Sequence, residues 1–122
     1  MAKSILVADD DPDIVNIVAM SLEAQGYVVF KAANGQEAVE QARQHTPDLI
    51  FMDMMMPVQS GYEAVSELKA DEATRDIPVV GLSAKAMSDD MERALEAGID
   101  GYVTKPFRIS QILSTVEGYL NK

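Results

Sequence analysis

Short, β-rich apolar runs alternate along this chain with longer stretches of helical period. SILVA (Ser4–Ala8) reads as a buried strand. Asp11-Pro12 then supplies an N-cap and a proline at the first helical position, and a helix runs to about Gln25, where Gly26 stops it. Its inward stripe is read as Ile14, Ile17, Val18, Ser21 and Leu22. YVVFKA (Tyr27–Ala32) is the second strand. Asn34 caps a helix through about Gln44, with Ala38, Val39 and Ala42 turned inward. DLIFMD (Asp48–Asp53) is the third strand, and Ser60 opens a helix with Tyr62, Val65 and Leu68 on its buried side. IPVVGLS (Ile77–Ser83) is the fourth strand, with Pro78 at its start, where a missing donor is tolerable. A helix from about Met87 to Ala97 ends at Gly98, GYVT (Gly101–Thr104) is the fifth strand, and a last helix spans about Ser110 to Leu120.

This is a (βα) unit five times over. Such alternation predicts a doubly wound α/β fold in three layers: a parallel five-stranded sheet, helices on both faces, and right-handed crossovers. The strands are nearly continuous apolar runs, as expected where both faces are covered.

Composition narrows the function. A chain of 122 residues, 48% of them apolar, suggests one domain with a core of its own. There are no cysteines, so neither a disulfide framework nor a thiolate metal site is expected, which fits a cytoplasmic protein. The apolar segment before Asp9 is too short for a signal peptide, and no run approaches the roughly 18–20 apolar residues of a membrane span. Twenty acidic residues against 10 basic ones give a net charge of −10, which repels nucleic-acid phosphates and anionic lipid. No direct contact with nucleic acid or membrane is expected.

In folds of this type ligands bind beyond the carboxyl ends of the strands. Strand one exits into Asp9-Asp10, strand three ends in Asp53, strand four in Ser83, and strand five runs into Lys105. Two carboxylates ~4 Å apart repel by about 4 kcal/mol at an effective dielectric of 20. A hard divalent cation resolves that repulsion, and Mg²⁺ takes oxygen ligands. Three aspartates against Mg²⁺ and one lysine make a neutral site with a nucleophilic carboxylate beside a Lewis acid. That suits phosphoryl transfer to Asp53, with the cation, Lys105 and the Ser83 hydroxyl neutralising the transferring oxygens.

VADDDP, FMDMMMP, GLSAKA and GYVTKPF resemble the receiver domain of two-component response regulators, over essentially the whole chain. The resemblance implies the flavodoxin-like strand order 2-1-3-4-5, the order of the chemotaxis regulator that serves as a standard example of this fold. It implies that Asp9 and Asp10 hold Mg²⁺ with Asp53 and the backbone carbonyl of Met55, and that Asp53 is the phosphoacceptor. Ser83 would bind the phosphoryl group, Lys105 would pair with it, and Lys105-Pro106 would be a cis peptide. Ser83 and Tyr102 would form a switch that remodels the fourth helix, fifth strand and fifth helix for a downstream partner. The donor would be a histidine kinase or a histidine phosphotransfer protein. Such a domain catalyses only its own phosphorylation and dephosphorylation. Met55 and Lys85 occupy positions that tune dephosphorylation in that family. The expectation is a single receiver domain over residues 1–122 with no output domain, a monomer or weak dimer.

Plainer readings compete residue by residue. Asp11 is accounted for as a helix cap, the side chains of Met54 to Met56 as packing and loop-covering groups and not metal ligands, and His45 as a solvated residue at a helix C-terminus, where positive charge is favourable. Val15, Ala19 and Met20 fall off the inward stripe as read, and are either plain surface apolars or a kinase-docking patch. A haloacid-dehalogenase-like phosphatase would need a second acid two residues after the nucleophile, where Met55 stands. An FMN carrier would need hydroxyls and amides where Asp9, Asp10 and Asp11 stand, and a dinucleotide-binding fold would need GxGxxG there, which is absent. A phosphorylation-independent interaction domain is the remaining alternative, and the filled set of site positions argues against it.

Overall fold

The computed structural model describes residues 2–83 and 88–120, with backbone alone over 88–91. Five strands and five helices alternate: β1 (Ser4–Ala8), α1 (Pro12–Ala24), β2 (Val28–Ala32), α2 (Gly35–His45), β3 (Leu49–Asp53), α3 (Gly61–Ala70), β4 (Val79–Ser83), α4 (Ser88–Ala97), β5 (Gly101–Thr104) and α5 (Ile109–Leu120). The strands form one parallel sheet in the order β2-β1-β3-β4-β5. The element order, the fold class and the strand order all agree with expectation. The expected start of α4 at Met87 lies outside the described residues.

Side chains alternate across the sheet and build two cores. Leu6, Ala8, Ile50 and Met52 point toward α2, α3 and α4, against Ala38, Val39, Val65, Leu68 and Ala94. Ile5, Val7, Leu49, Phe51 and Leu82 point the other way, against Val15, Val18 and Leu22 of α1 and Ile112 and Val116 of α5. Every residue of β3 and β4 is buried. The edge strand β2 is not: Val28 is 46% exposed and Phe30 half-buried. An edge strand has a sheet neighbour on one side only, so its apolar run does not imply full cover.

The helix ends follow the sequence signals. Asp11 accepts from the Asp13 amide at 3.0 Å, Asn34 from the Glu37 amide at 2.9 Å, and Ser60 from the Glu63 amide at 3.2 Å. Gly26, at φ 94°, and Gly98, at φ 111°, end α1 and α4 in the left-handed region that favours glycine.

The inward stripe of α1 is a correction. Val15, Val18, Ala19 and Leu22 are buried, whereas Ile17 is 54% exposed and Ile14 and Ser21 are only half-buried. Both sets have the spacing i, i+3, i+4, i+7, so periodicity alone does not choose between them. The small Ala19, fully buried, seats the helix on the sheet, and the bulkier Ile17 is carried to the edge. Val15 and Ala19 are therefore core residues and not an exposed docking patch; Met20, 70% exposed, is the one of the three at the surface. His45 is also not merely solvated, because its ring stacks on Phe30 with centroids 3.9 Å apart. Among the described residues, no helix is long and apolar enough to cross a membrane.

Candidate functional site

Register brings the polar residues together. Ala8 pairs with Met52, so Asp9 leaves β1 alongside Asp53 at the end of β3. Asp53 pairs with Leu82, which sets Ser83 one residue beyond, and Ser83 pairs with Thr104, just before Lys105. Three strand exits thus deliver two buried carboxylates and a buried hydroxyl: Asp9 is 1% exposed, Asp53 5% and Ser83 6%. Asp10 stands at the rim, exposed.

The local backbone fixes each side chain. The Asp11 amide donates to Asp9 Oδ1 at 2.9 Å, and the Met55 amide to Asp53 Oδ1 at 3.0 Å. Lys105 is anchored by its own amide, which donates to the Ser83 carbonyl at 2.6 Å, and the Lys105–Pro106 peptide is cis. Its ammonium lies 2.6 Å from Asp9 Oδ2 and 3.3 Å from Asp53 Oδ2. One oxygen from each of Asp9, Asp10 and Asp53 falls within 4.8 Å of the others.

The electrostatics of this cluster are conflicted. Burial raises the Asp53 carboxyl from its ordinary 3.8 to about 6; the Met55 amide and Lys105 oppose the rise, and the charge of Asp9 adds to it. Burial works against the charge of Lys105 too. Its hydrogen bond to Asp9 and the attraction of Asp53 and Asp9 outweigh that, and hold the ammonium above its ordinary range. Lys105 is a single positive charge serving two carboxylates, with Asp10 a third carboxylate beside them. Three hard oxygen donors in need of more positive charge fit a hard divalent cation and not a soft metal. The thioethers of Met54 and Met56 are buried in packing, away from any such role.

Other features of the site were not visible in the residue pattern. A Cβ on Gly61 would run into the Asp53 carbonyl oxygen, and one on Gly35 into the Gln59 carbonyl oxygen. These two glycines let α3 and α2 start hard against the loop after β3. That loop is clamped at three points: Gly61 N to Met54 O at 3.2 Å, Gly35 N to Gln59 O at 3.0 Å, and Gln59 N to Pro57 O at 2.7 Å. Glycines placed immediately after the caps Asn34 and Ser60 were the available signal. Tyr102 is half-buried and packs against the α2–α3–α4 core. Lys85 lies outside the described residues. Beside the site, an apolar groove of about 470 Å³ runs between α1 and the start of α5, lined by Ile14, Ile17, Val18, Pro106, Phe107 and Ile109 together with Lys105.

The chain as a whole is similar to known proteins. A family model described as the response regulator receiver domain matches residues 5–117. The polar-differentiation response regulators DivK of Brucella anthropi and Brucella ovis are each 38% identical over 120 residues, which is 98% of this chain and 98% of theirs. Chemotaxis protein CheY4 of Vibrio cholerae superposes with a TM-score of 0.93 at 28% identity, covering 98% of this chain and 100% of its own. The receiver domain of sensor histidine kinase PA1611 from Pseudomonas aeruginosa superposes at 0.91 with 32% identity, covering 100% of both chains. That neighbour carries a magnesium ion coordinated in its active site cleft.

Proposed function

The chain belongs to the response regulator receiver family, and from that premise we propose that Asp53 takes a phosphoryl group from a phosphohistidine donor. The observation that carries this reading is the setting of Asp53. It is a buried carboxylate at a strand exit, grouped within 4.8 Å with two others, and it shares one lysine with Asp9. A plain structural aspartate is paired; this one is left short of positive charge.

An ionised Asp53 oxygen attacks the phosphorus, the P–N bond to the donor's imidazole breaks, and the electron pair leaves with the ring nitrogen. At neutral pH the carboxyl, with its pKa of about 6, is mostly ionised and needs no base. Lys105 passes from Asp53 to the incoming phosphoryl oxygens, and Ser83, at the next strand exit, donates its hydroxyl to them. Asp9, Asp10, Asp53 and the Met55 carbonyl would hold Mg²⁺. A bound Mg²⁺ neutralises charge on the transferring group as a Lewis acid.

The product carries more negative charge at the β4 exit than the free site does, and Ser83 and Tyr102 form the switch that answers it. The α4–β5–α5 face then binds a downstream protein. The donor is a histidine kinase or a histidine phosphotransfer protein, and it docks along α1 at the exposed Ile17 and Met20, beside the Phe107 groove. The chemistry is confined to the chain's own phosphorylation and dephosphorylation.

Intact mass after incubation with acetyl phosphate tests this directly. Addition of one phosphoryl group that requires Mg²⁺ and is lost in Asp53→Ala is the expected result. No addition under any condition overturns the reading in favour of a phosphorylation-independent interaction domain.

A further inference from the structure

Helix α4 is lightly held. Over its described side chains, 92–97, Ala94 is buried and Ala97 half-buried, while Leu95, the large apolar residue of that span, is 59% exposed. Two alanines bring little apolar area to the core, and stabilisation by burial scales with that area. A long side chain, Arg93, crosses from α4 to α3. Its guanidinium carbon lies 4.2 Å from the centroid of the Tyr62 ring, a cation–π contact. Tyr62 is itself buried and belongs to the α2–α3–α4 core, so its ring is a fixed platform for Arg93.

The same ring sits one residue from backbone that touches Asp53. Gly61 stands so close to the Asp53 carbonyl oxygen that it leaves no room for a Cβ, and its amide donates to the Met54 carbonyl at 3.2 Å. The first turn of α3 therefore bears directly on the phosphoacceptor's own backbone, and a shift there moves the Tyr62 ring under Arg93. We propose that the Arg93–Tyr62 contact is a latch. It holds α4 in the position it takes while the Lys105 ammonium serves Asp9 and Asp53, and it opposes the shift of α4 that follows phosphorylation. The inference rests on the phosphoacceptor reading of the site. It adds a link from Asp53 to α4 through α3, separate from Ser83 on β4 and Tyr102 on β5. A contact made in one state and lost in the other disfavours the second, so its removal tightens binding of whatever favours that second state.

The test measures equilibrium binding of beryllofluoride, an anion that mimics a phosphoryl group on a carboxylate, at saturating Mg²⁺. Arg93→Met keeps most of the stem and removes the cation. It is expected to bind the analogue about threefold more tightly than wild type, the size of one exposed cation–π contact. Loss of a cation by itself weakens binding of an anion, so bulk charge acts in the opposite direction. With Tyr62→Leu already in place, Arg93→Met is expected to change the affinity no further. Equal or weaker binding by Arg93→Met overturns the latch and leaves the phosphoacceptor reading standing. So does an undiminished gain in the Tyr62→Leu background, which would place the effect of Arg93 away from the ring. A wild type that binds no beryllofluoride also overturns the latch. If it takes no phosphoryl group from acetyl phosphate either, the phosphoacceptor reading falls with it.

Discussion

Asp53 is placed where burial and a neighbouring carboxylate both resist its charge. Its folded pKa of about 6 stands above the ordinary 3.8, so the native state holds this proton more tightly than the unfolded chain does. The stability that follows is fully present below pH 3.8 and is lost as pH rises through about 6. Ionisation at neutral pH therefore costs the metal-free fold about 1 kcal/mol, once solvent screening at the open mouth is allowed for. Asp53→Asn removes the charge and keeps an acceptor for the Met55 amide. In chelator at pH 7.5 it is expected to melt above wild type, with the gain shrinking toward zero by pH 4.5. Mg²⁺ is expected to raise the wild-type melting temperature more at pH 7.5 than at pH 4.5, because it binds the ionised form. Thermal melts across that pH range, with and without Mg²⁺, check both; a gain for Asp53→Asn that grows toward acid would refute the assignment.

The helices show what the sequence could and could not tell. Capping residues, the glycine stops and the five strands were legible, because local chemistry sets them: Asp11, Asn34 and Ser60 each bond the amide their type predicts. Asp9, Asp53, Ser83 and Lys105 were legible as a set because a strand exit is a position in sequence as well as in space. The rotation of α1 was not. Ile14, Ile17, Val18 and Ser21 make as good a stripe as Val15, Val18, Ala19 and Leu22, and only contact with the sheet decides. Nor was the positive φ of Val58, 67°, legible, since Pro57-Val58-Gln59 has no glycine or asparagine to announce it. The rotation has a consequence that separates core from docking. Val15→Asp buries an unpaired charge and is expected to lower the unfolding free energy by about 3 kcal/mol. Ile17→Asp, at a half-exposed position, is expected to cost under about 1 kcal/mol, to leave acetyl phosphate labelling intact, and to slow transfer from the kinase. Urea titration of the two variants beside transfer kinetics gives the comparison. Equal destabilisation would return Ile17 to the core.

Across the whole molecule, chemistry and fastening sit at opposite ends of the sheet. The carboxyl ends of the strands hold the acidic cluster and its conflicted charges. The other end is closed by Lys69 of α3, whose ammonium donates to Arg75 O at 3.2 Å, Ile77 O at 2.9 Å and Asp100 Oδ2 at 2.9 Å. Those bonds use all three of its N–H donors. The same Asp100 oxygen accepts from the Val79 amide at 2.8 Å, and the Tyr119 hydroxyl donates to the Asp100 carbonyl at 3.0 Å. One lysine therefore ties α3, the approach to β4, the turn after α4 and, through Tyr119, the end of α5. Gly98 lies so close that an added Cβ would stand 2.9 Å from Lys69 Cγ. Lys69→Met keeps the stem and deletes the three bonds, leaving two carbonyls and a carboxylate to find water. The expected loss is about 2 kcal/mol, a fall of roughly 8 °C in melting temperature. Labelling of Asp53 by acetyl phosphate at 20 °C should be unaltered, since no bond of this clasp reaches the strand exits. A variant that melted lower and also phosphorylated more slowly would mean that the two ends of the sheet are coupled through β4, which runs from Val79 beside Asp100 to Ser83 beside the site.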